Sequence, residues 1–141
     1  MTWDHERLVF DPRGTELDGS APDEPSIIRS PNGEQILCLI RENARKFNSL
    51  MMVSDNERET WSNPVELPGL LTGDGHMPQY AGCAGNGRLV ITFRGMAQSS
   101  TKGDFVAWIG KYEDIVNGHE GQSRVRLLDD KSALGIPDIP D

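Results

Sequence analysis

An apolar run that ends in arginine and follows an asparagine–glycine turn occurs twice in this chain. Asn32-Gly33 leads into EQILCLIR at residues 34–41, and Asn86-Gly87 leads into RLVITFR at residues 88–94. Gly33 and Gly87 stand 54 positions apart (87 − 33), and Arg41 and Arg94 stand 53 apart (94 − 41). Recurrence at this period means one supersecondary unit used twice, each copy needing its neighbour to bury a face.

The unit is built of strands. Residues 34–41 put Ile36, Cys38 and Ile40 on one side and Leu37 and Leu39 on the other, as a strand covered on both faces does. Residues 26–29 precede it across Ser30-Pro31-Asn32-Gly33, a hairpin turn carrying the favoured Asn-Gly pair; residues 49–54 and 65–67 follow as further strands. The second copy reads as strands over 79–84, 88–94, 104–110 and 123–128, with a single turn of helix over 112–117. Fifteen glycines and nine prolines suit short strands joined by turns.

The expected fold is therefore all-β, made of four-stranded antiparallel sheets over residues 24–67 and 79–128. Residues 1–23 form an entry segment, and 129–141 read as the start of a further unit cut short. Four-stranded units in series are what propeller blades look like, and propellers close with about four to eight of them. Two to three blades leave an open sector, so the missing blades or other copies of the chain are expected partners.

Composition narrows the function. Twenty-two acidic against fourteen basic residues give a formal charge of −8, which repels phosphate backbones and disfavours nucleic acid as a partner. No apolar run approaches the roughly 18 residues that cross a bilayer, so membrane insertion is not expected. The opening Met-Thr-Trp-Asp-His lacks the basic and apolar regions of a signal peptide. Cys38 and Cys83 match no ligand spacing and read as buried thiols; His5 and His119 have no partners at ligand spacing. No metal and no cofactor are expected.

Ser54-Asp55-Asn56-Glu57-Arg58-Glu59-Thr60-Trp61 resembles the Asp-box, SxDxGxTW, of sialidases and related propellers. Ser54, Thr60 and Trp61 hold their places, Asn56 stands at the aspartate position and Arg58 at the glycine position. The box is structural: a side-chain oxygen accepts backbone N–H groups across the turn, glycine permits positive φ, and tryptophan packs beneath. Arg58 is expected to strain or reshape that turn. Glu24 to Gly33, Leu39 to Asn43, Leu71 to His76, Gly87 to Arg94 and Asp104 to Gly110 extend the likeness to BNR-repeat, sialidase-like proteins. The resemblance implies a six-bladed propeller and a glycoside hydrolase of the exo-α-sialidase type, with an acidic sugar or other glycan as partner.

Strand parity sorts the turns. The Asn-Gly turns and the box share one rim; the second–third loops, the linker 68–78 and the entry 17–24 share the other. That second rim, the substrate face in the sialidase-like family, carries Asp18, Asp23, Glu24, Arg41, Glu42, Asn43, Arg45, Asp74, His76 and Arg94. Asp74 and Glu24 are candidate catalytic carboxylates, Arg41, Arg45 and Arg94 candidate guanidinium ligands for a sugar carboxylate, and Glu42, Asn43 and His76 candidate sugar contacts. Each has a plainer alternative. Arginines at strand ends are often solvated, an aspartate in a Gly-flanked loop often caps its own backbone, and Glu24 before Pro25 suits a strand entry. Trp61 and Trp108 read as packing rather than sugar platforms.

The chain also departs from the sialidase pattern. Asp23-Glu24-Pro25 stands where the family has Arg-Ile-Pro, Lys46-Phe47-Asn48 offers no aspartate after Arg45, and neither Tyr80 nor Tyr112 sits in a nucleophile context. The expected function is a fragment of a sialidase-like hydrolase, inactive alone, or a non-catalytic glycan-binding module.

Overall fold

The computed structural model describes residues 8–81, 87–96 and 101–129. Trp3, His5, Cys83, the Gly85-Asn86 half of the second hairpin turn, and the segment from residue 130 onward lie outside them.

Two four-stranded antiparallel sheets make up the fold. The first runs β1 (Pro22–Arg29), β2 (Ile36–Glu42), β3 (Leu50–Ser54), β4 (Val65–Glu66); the second runs β5 (Gly73–Tyr80), β6 (Arg88–Gly95), β7 (Phe105–Lys111), β8 (Ser123–Leu128). Each is a simple meander with sequential strands adjacent. A five-residue helix, α1 (Tyr112–Val116), interrupts the step from β7 to β8.

Strands β1 and β5 begin earlier than the sequence reading placed them, at Pro22 rather than residue 26 and at Gly73 rather than residue 79. Their first halves lack apolar alternation, and the two strands contain Pro22, Pro25 and Pro78, which argue against a strand by composition. Both strands lie at a sheet edge, where a proline's missing N–H costs nothing. Both also carry an irregularity in register, between Asp23 and Ser26 and between Asp74 and Met77. Much of the stretch expected as a linker is therefore strand.

The faces that meet between the sheets form the main core: Leu37, Leu39 and Met51 from the first, Leu89, Ile91, Phe93, Val106 and Trp108 from the second. Trp108 is fully buried, and its indole N–H donates to the Glu120 carbonyl at 2.7 Å. Gly110 and Gly121 abut that indole, where any Cβ would collide with it. The opposite face of the first sheet, Cys38, Ile40, Leu50 and Met52, is covered by Phe10, Leu17 and Trp61. Both faces of β2 are thus buried, as its two-sided apolar pattern requires. Trp61 and Trp108 are packing residues.

The turn between β3 and β4 is held by side-chain hydrogen bonds. Asn56 Oδ1 accepts from the Thr60 amide at 2.9 Å, its Nδ2 donates to Thr60 Oγ1 at 2.8 Å, and Ser54 Oγ accepts from the Arg58 amide at 2.9 Å. Glu57 and Arg58 take φ of 57° and 75°, so an arginine occupies the left-handed region that glycine favours. This turn lies beside the β1–β2 turn: Arg29 pairs with Glu57 at 2.6 Å, and Gln35 Nε2 donates to Asp55 at 2.8 Å.

Candidate functional site

At the opposite rim, three segments deliver charged side chains to one place. Glu24 comes from β1, Arg41 from the end of β2, Arg45 from the loop after it, and Asp74 from the start of β5. Arg41 Nη1 lies 2.6 Å from Glu24 Oε1, and Arg41 Nε lies 2.9 Å from Asp74 Oδ1. Arg45 Nη2 reaches the other Asp74 oxygen at 3.5 Å. The Arg41 and Asp74 side chains are only 20% and 15% exposed, so their attraction is screened less than a surface pair's.

Local backbone supports the cluster. Glu24 has φ of 45° and Arg45 of 57°; with Glu57 and Arg58 they are the positive-φ non-glycine residues among the described residues. Two of the four thus lie in the box turn and two in the charged cluster. A left-handed residue with a side chain persists only where its surroundings hold it. In the charged cluster Glu24 pairs with Arg41, and Arg45 with Asp74.

The eight candidate site residues of the sequence reading separate into three groups. Glu24, Arg41, Arg45 and Asp74 come together. Arg94 sits opposite Asp74 in the β5–β6 ladder, is exposed, and makes only a long 3.4 Å bond from Nε to the Gly103 carbonyl among the described residues. Asn43 is exposed in the loop after β2, its amide bonded to the Ala21 carbonyl at 2.9 Å.

Glu42 and His76 point into the fold. The Glu42 carboxylate accepts the amides of Ala21, Ala44, Lys46 and Phe47 at 2.7–3.2 Å, closing the loop that carries Arg45. Burial pushes its pKa up, but these four N–H donors outweigh burial and hold it below the ordinary value. His76 is buried, stacked on Phe93 at 5.1 Å between centroids, and donates from Nε2 to the Leu71 carbonyl at 2.7 Å. Burial is the main cause of its depressed pKa, only partly opposed by that carbonyl and by the Asp74 and Glu24 charges. Its ring braces the turn before β5, and the register irregularity between Asp74 and Met77 turns it inside while Asp74, two residues earlier, stays at the rim. Strand parity alone could not see this, because Gly73-Asp74-Gly75-His76 reads as a loop.

Both tyrosines are tied to structure. Tyr80 donates its hydroxyl to the Arg29 carbonyl at 2.7 Å, and Tyr112 is buried. Burial, aided by the nearby Glu113 charge, pushes each phenol up to about 12. Among the described residues, no group of three or more His, Cys, Asp or Glu side chains is arranged to hold a metal ion.

Compared with models of known families, with curated proteins and with solved structures, the chain matches none. Its chemistry rests on its own geometry. The cluster offers guanidinium donors in fixed orientation, two carboxylate acceptors and one nearby arginine with little to hold it. Such a set can bind a polyhydroxylated ligand that carries a carboxylate.

Proposed function

We propose that the two sheets are neighbouring blades of a sialidase-like six-bladed propeller, and that the chain is the glycan-recognising part of a sialidase-like glycoside hydrolase. The observation that carries this reading is the meeting of Glu24, Arg41, Arg45 and Asp74 at the rim opposite the box, with Arg94 beside them. The box bonding of Ser54, Asn56 and Thr60 supports the same lineage. The outward face of the second sheet supports a further blade: Met77 and Val125 stay exposed there, at either end of the cross-strand row Met77–Thr92–Ala107–Val125.

Recognition is an acidic sugar's carboxylate on the guanidinium groups of Arg41, Arg45 and Arg94, with Glu24 and Asp74 accepting from hydroxyls. Turnover by this chain alone is a separate matter. The nucleophile that the sialidase resemblance calls for is a tyrosine, and Tyr80 and Tyr112 have phenols made harder to ionise. Both Asp74 oxygens face guanidinium groups, so a proton-donating role requires those pairs to open. These facts favour binding without cleavage.

Calorimetric titration with N-acetylneuraminic acid, with galactose as the neutral control, tests the proposal. Saturable heat for the acidic sugar alone, weakened at least tenfold in Arg41→Met, is the expected result. Dilution-level heat for both sugars overturns it. A fluorogenic sialoside is expected to release no product, and turnover that Arg41→Met abolishes would overturn the binding-only assignment.

A further inference from the structure

A cavity of about 640 Å³ opens between the sheets on the outer side of the rim, within the size range of small-ligand sites. Its wall includes Lys46, Asn48, Glu66, Asp74, Glu120 and Arg124. Arg124 stands opposite Trp108 in the β7–β8 ladder and so projects to the same inward face. Its guanidinium carbon lies 5.2 Å from the centre of the Phe93 ring. All three guanidinium nitrogens are shut off from solvent and have no hydrogen-bond partner among the described residues.

A buried cation with five unmatched N–H donors is costly, and a ring face recovers only part of that. Three of the acidic groups around the cavity are engaged elsewhere. Glu42 is taken by four amides, Glu66 accepts from the Asn48 amide at 2.7 Å, and Asp74 is held by Arg41 and Arg45. Burial lowers the Arg124 pKa, and the more distant Asp104 charge opposes this without bonding to it. Gly95 fixes the arrangement, since a side chain there would strike the Arg124 Nη2. Lys46 also lines the cavity; its ammonium lies near Gly19 and has no ion pair among the described residues.

We propose that this cavity is an oxyanion site, in which Arg124 and Lys46 hold a carboxylate, phosphate or sulfate group of a small molecule. It adjoins the acidic-sugar cluster, since Arg45 and Asp74 line the same cavity, but it turns on Arg124, which that reading does not use. A guanidinium fork suits two oxygens of one group, and the Lys46 ammonium supplies a point charge to the third or to its substituent.

Thermal melts of the protein in acetate, inorganic phosphate and sulfate, against chloride at equal ionic strength, test it. The expected result is a saturable rise in melting temperature with at least one oxyanion, lost in Arg124→Met and weakened several-fold in Lys46→Gln. Acetate acting alone would assign a carboxylate ligand; phosphate or sulfate acting alone would assign a tetrahedral one. No rise beyond chloride, or an equal rise in Arg124→Met, overturns the proposal. Should Arg124→Met fail to fold, Lys46→Gln and the Arg124 Nε–H resonance decide instead. An oxyanion response unchanged in Lys46→Gln, or a resonance unmoved by every oxyanion, overturns it equally.

Discussion

Arg41 Nε lies 2.9 Å from Asp74 Oδ1, and through that contact the end of β2 in the first sheet is joined to the start of β5 in the second. The pair links the sheets at the rim, while Leu37, Leu39 and their partners join them in the core. Asp74→Asn is expected to destabilise the fold by about 1 kcal/mol, the upper end for an ion pair in partial contact with solvent. A double-mutant cycle with Arg41→Met, read by urea denaturation, checks it. The account requires a coupling energy above about 0.5 kcal/mol; strict additivity would mean the two side chains do not interact.

Glu42 controls the loop that presents Arg45. Its four amide bonds depress its folded pKa below the ordinary 4.5, so the unfolded chain takes up the proton first. Its stabilising contribution is complete above pH 4.5 and is lost as pH falls through the folded value. Glu42→Ala is expected to cost about 2–4 kcal/mol at neutral pH by stranding several buried donors. The same substitution should flatten the acid limb of a denaturation-midpoint profile below pH 4.5.

His76 titrates in a different window. Burial keeps the folded ring neutral below its ordinary value of 6.5, so the unfolded chain binds the proton first as pH falls through 6.5. Stability should therefore decline on acidification from pH 7 toward 5.5, before Glu42 begins to respond. His76→Gln retains a donor for the Leu71 carbonyl and removes the titration. Urea midpoints across that range should slope in the parent and lie flatter in the variant.

Arg58 occupies a backbone conformation that costs a side-chain-bearing residue about 1–2 kcal/mol. Glycine relieves that cost but gives back part of it through the freer unfolded chain. Arg58→Gly is expected to raise stability by about 0.5–1 kcal/mol, and Asn56→Ala to lower it by about 1–2 kcal/mol through loss of the turn's acceptor. Thermal melts of the two variants should move in opposite directions.

Where apolar residues alternate, the sequence located the strands to within two residues: β2, β3, β6, β7 and β8 show it. It failed at the starts of β1 and β5, because Pro22-Asp23-Glu24-Pro25 and Gly73-Asp74-Gly75-His76 carry no period-two signal. Those strands form from the ladder contributed by β2 and β6, a tertiary cause that no local pattern records. The same gap hid the inward turn of His76. Counting strand direction still brought Glu24, Arg41, Arg45 and Asp74 to one rim. Arg124 went unread because it is one arginine of an exposed-looking SRVRLL run, and only the ladder to Trp108 turns it inward.

A residue-resolved NMR titration with N-acetylneuraminic acid tests the central claim most directly. The account predicts amide shifts concentrated at Asp23, Glu24, Arg41 to Arg45, Asp74 and Arg94, with the box turn at Ser54 to Thr60 unmoved. Shifts confined to the box end, or none at saturating sugar, would contradict it.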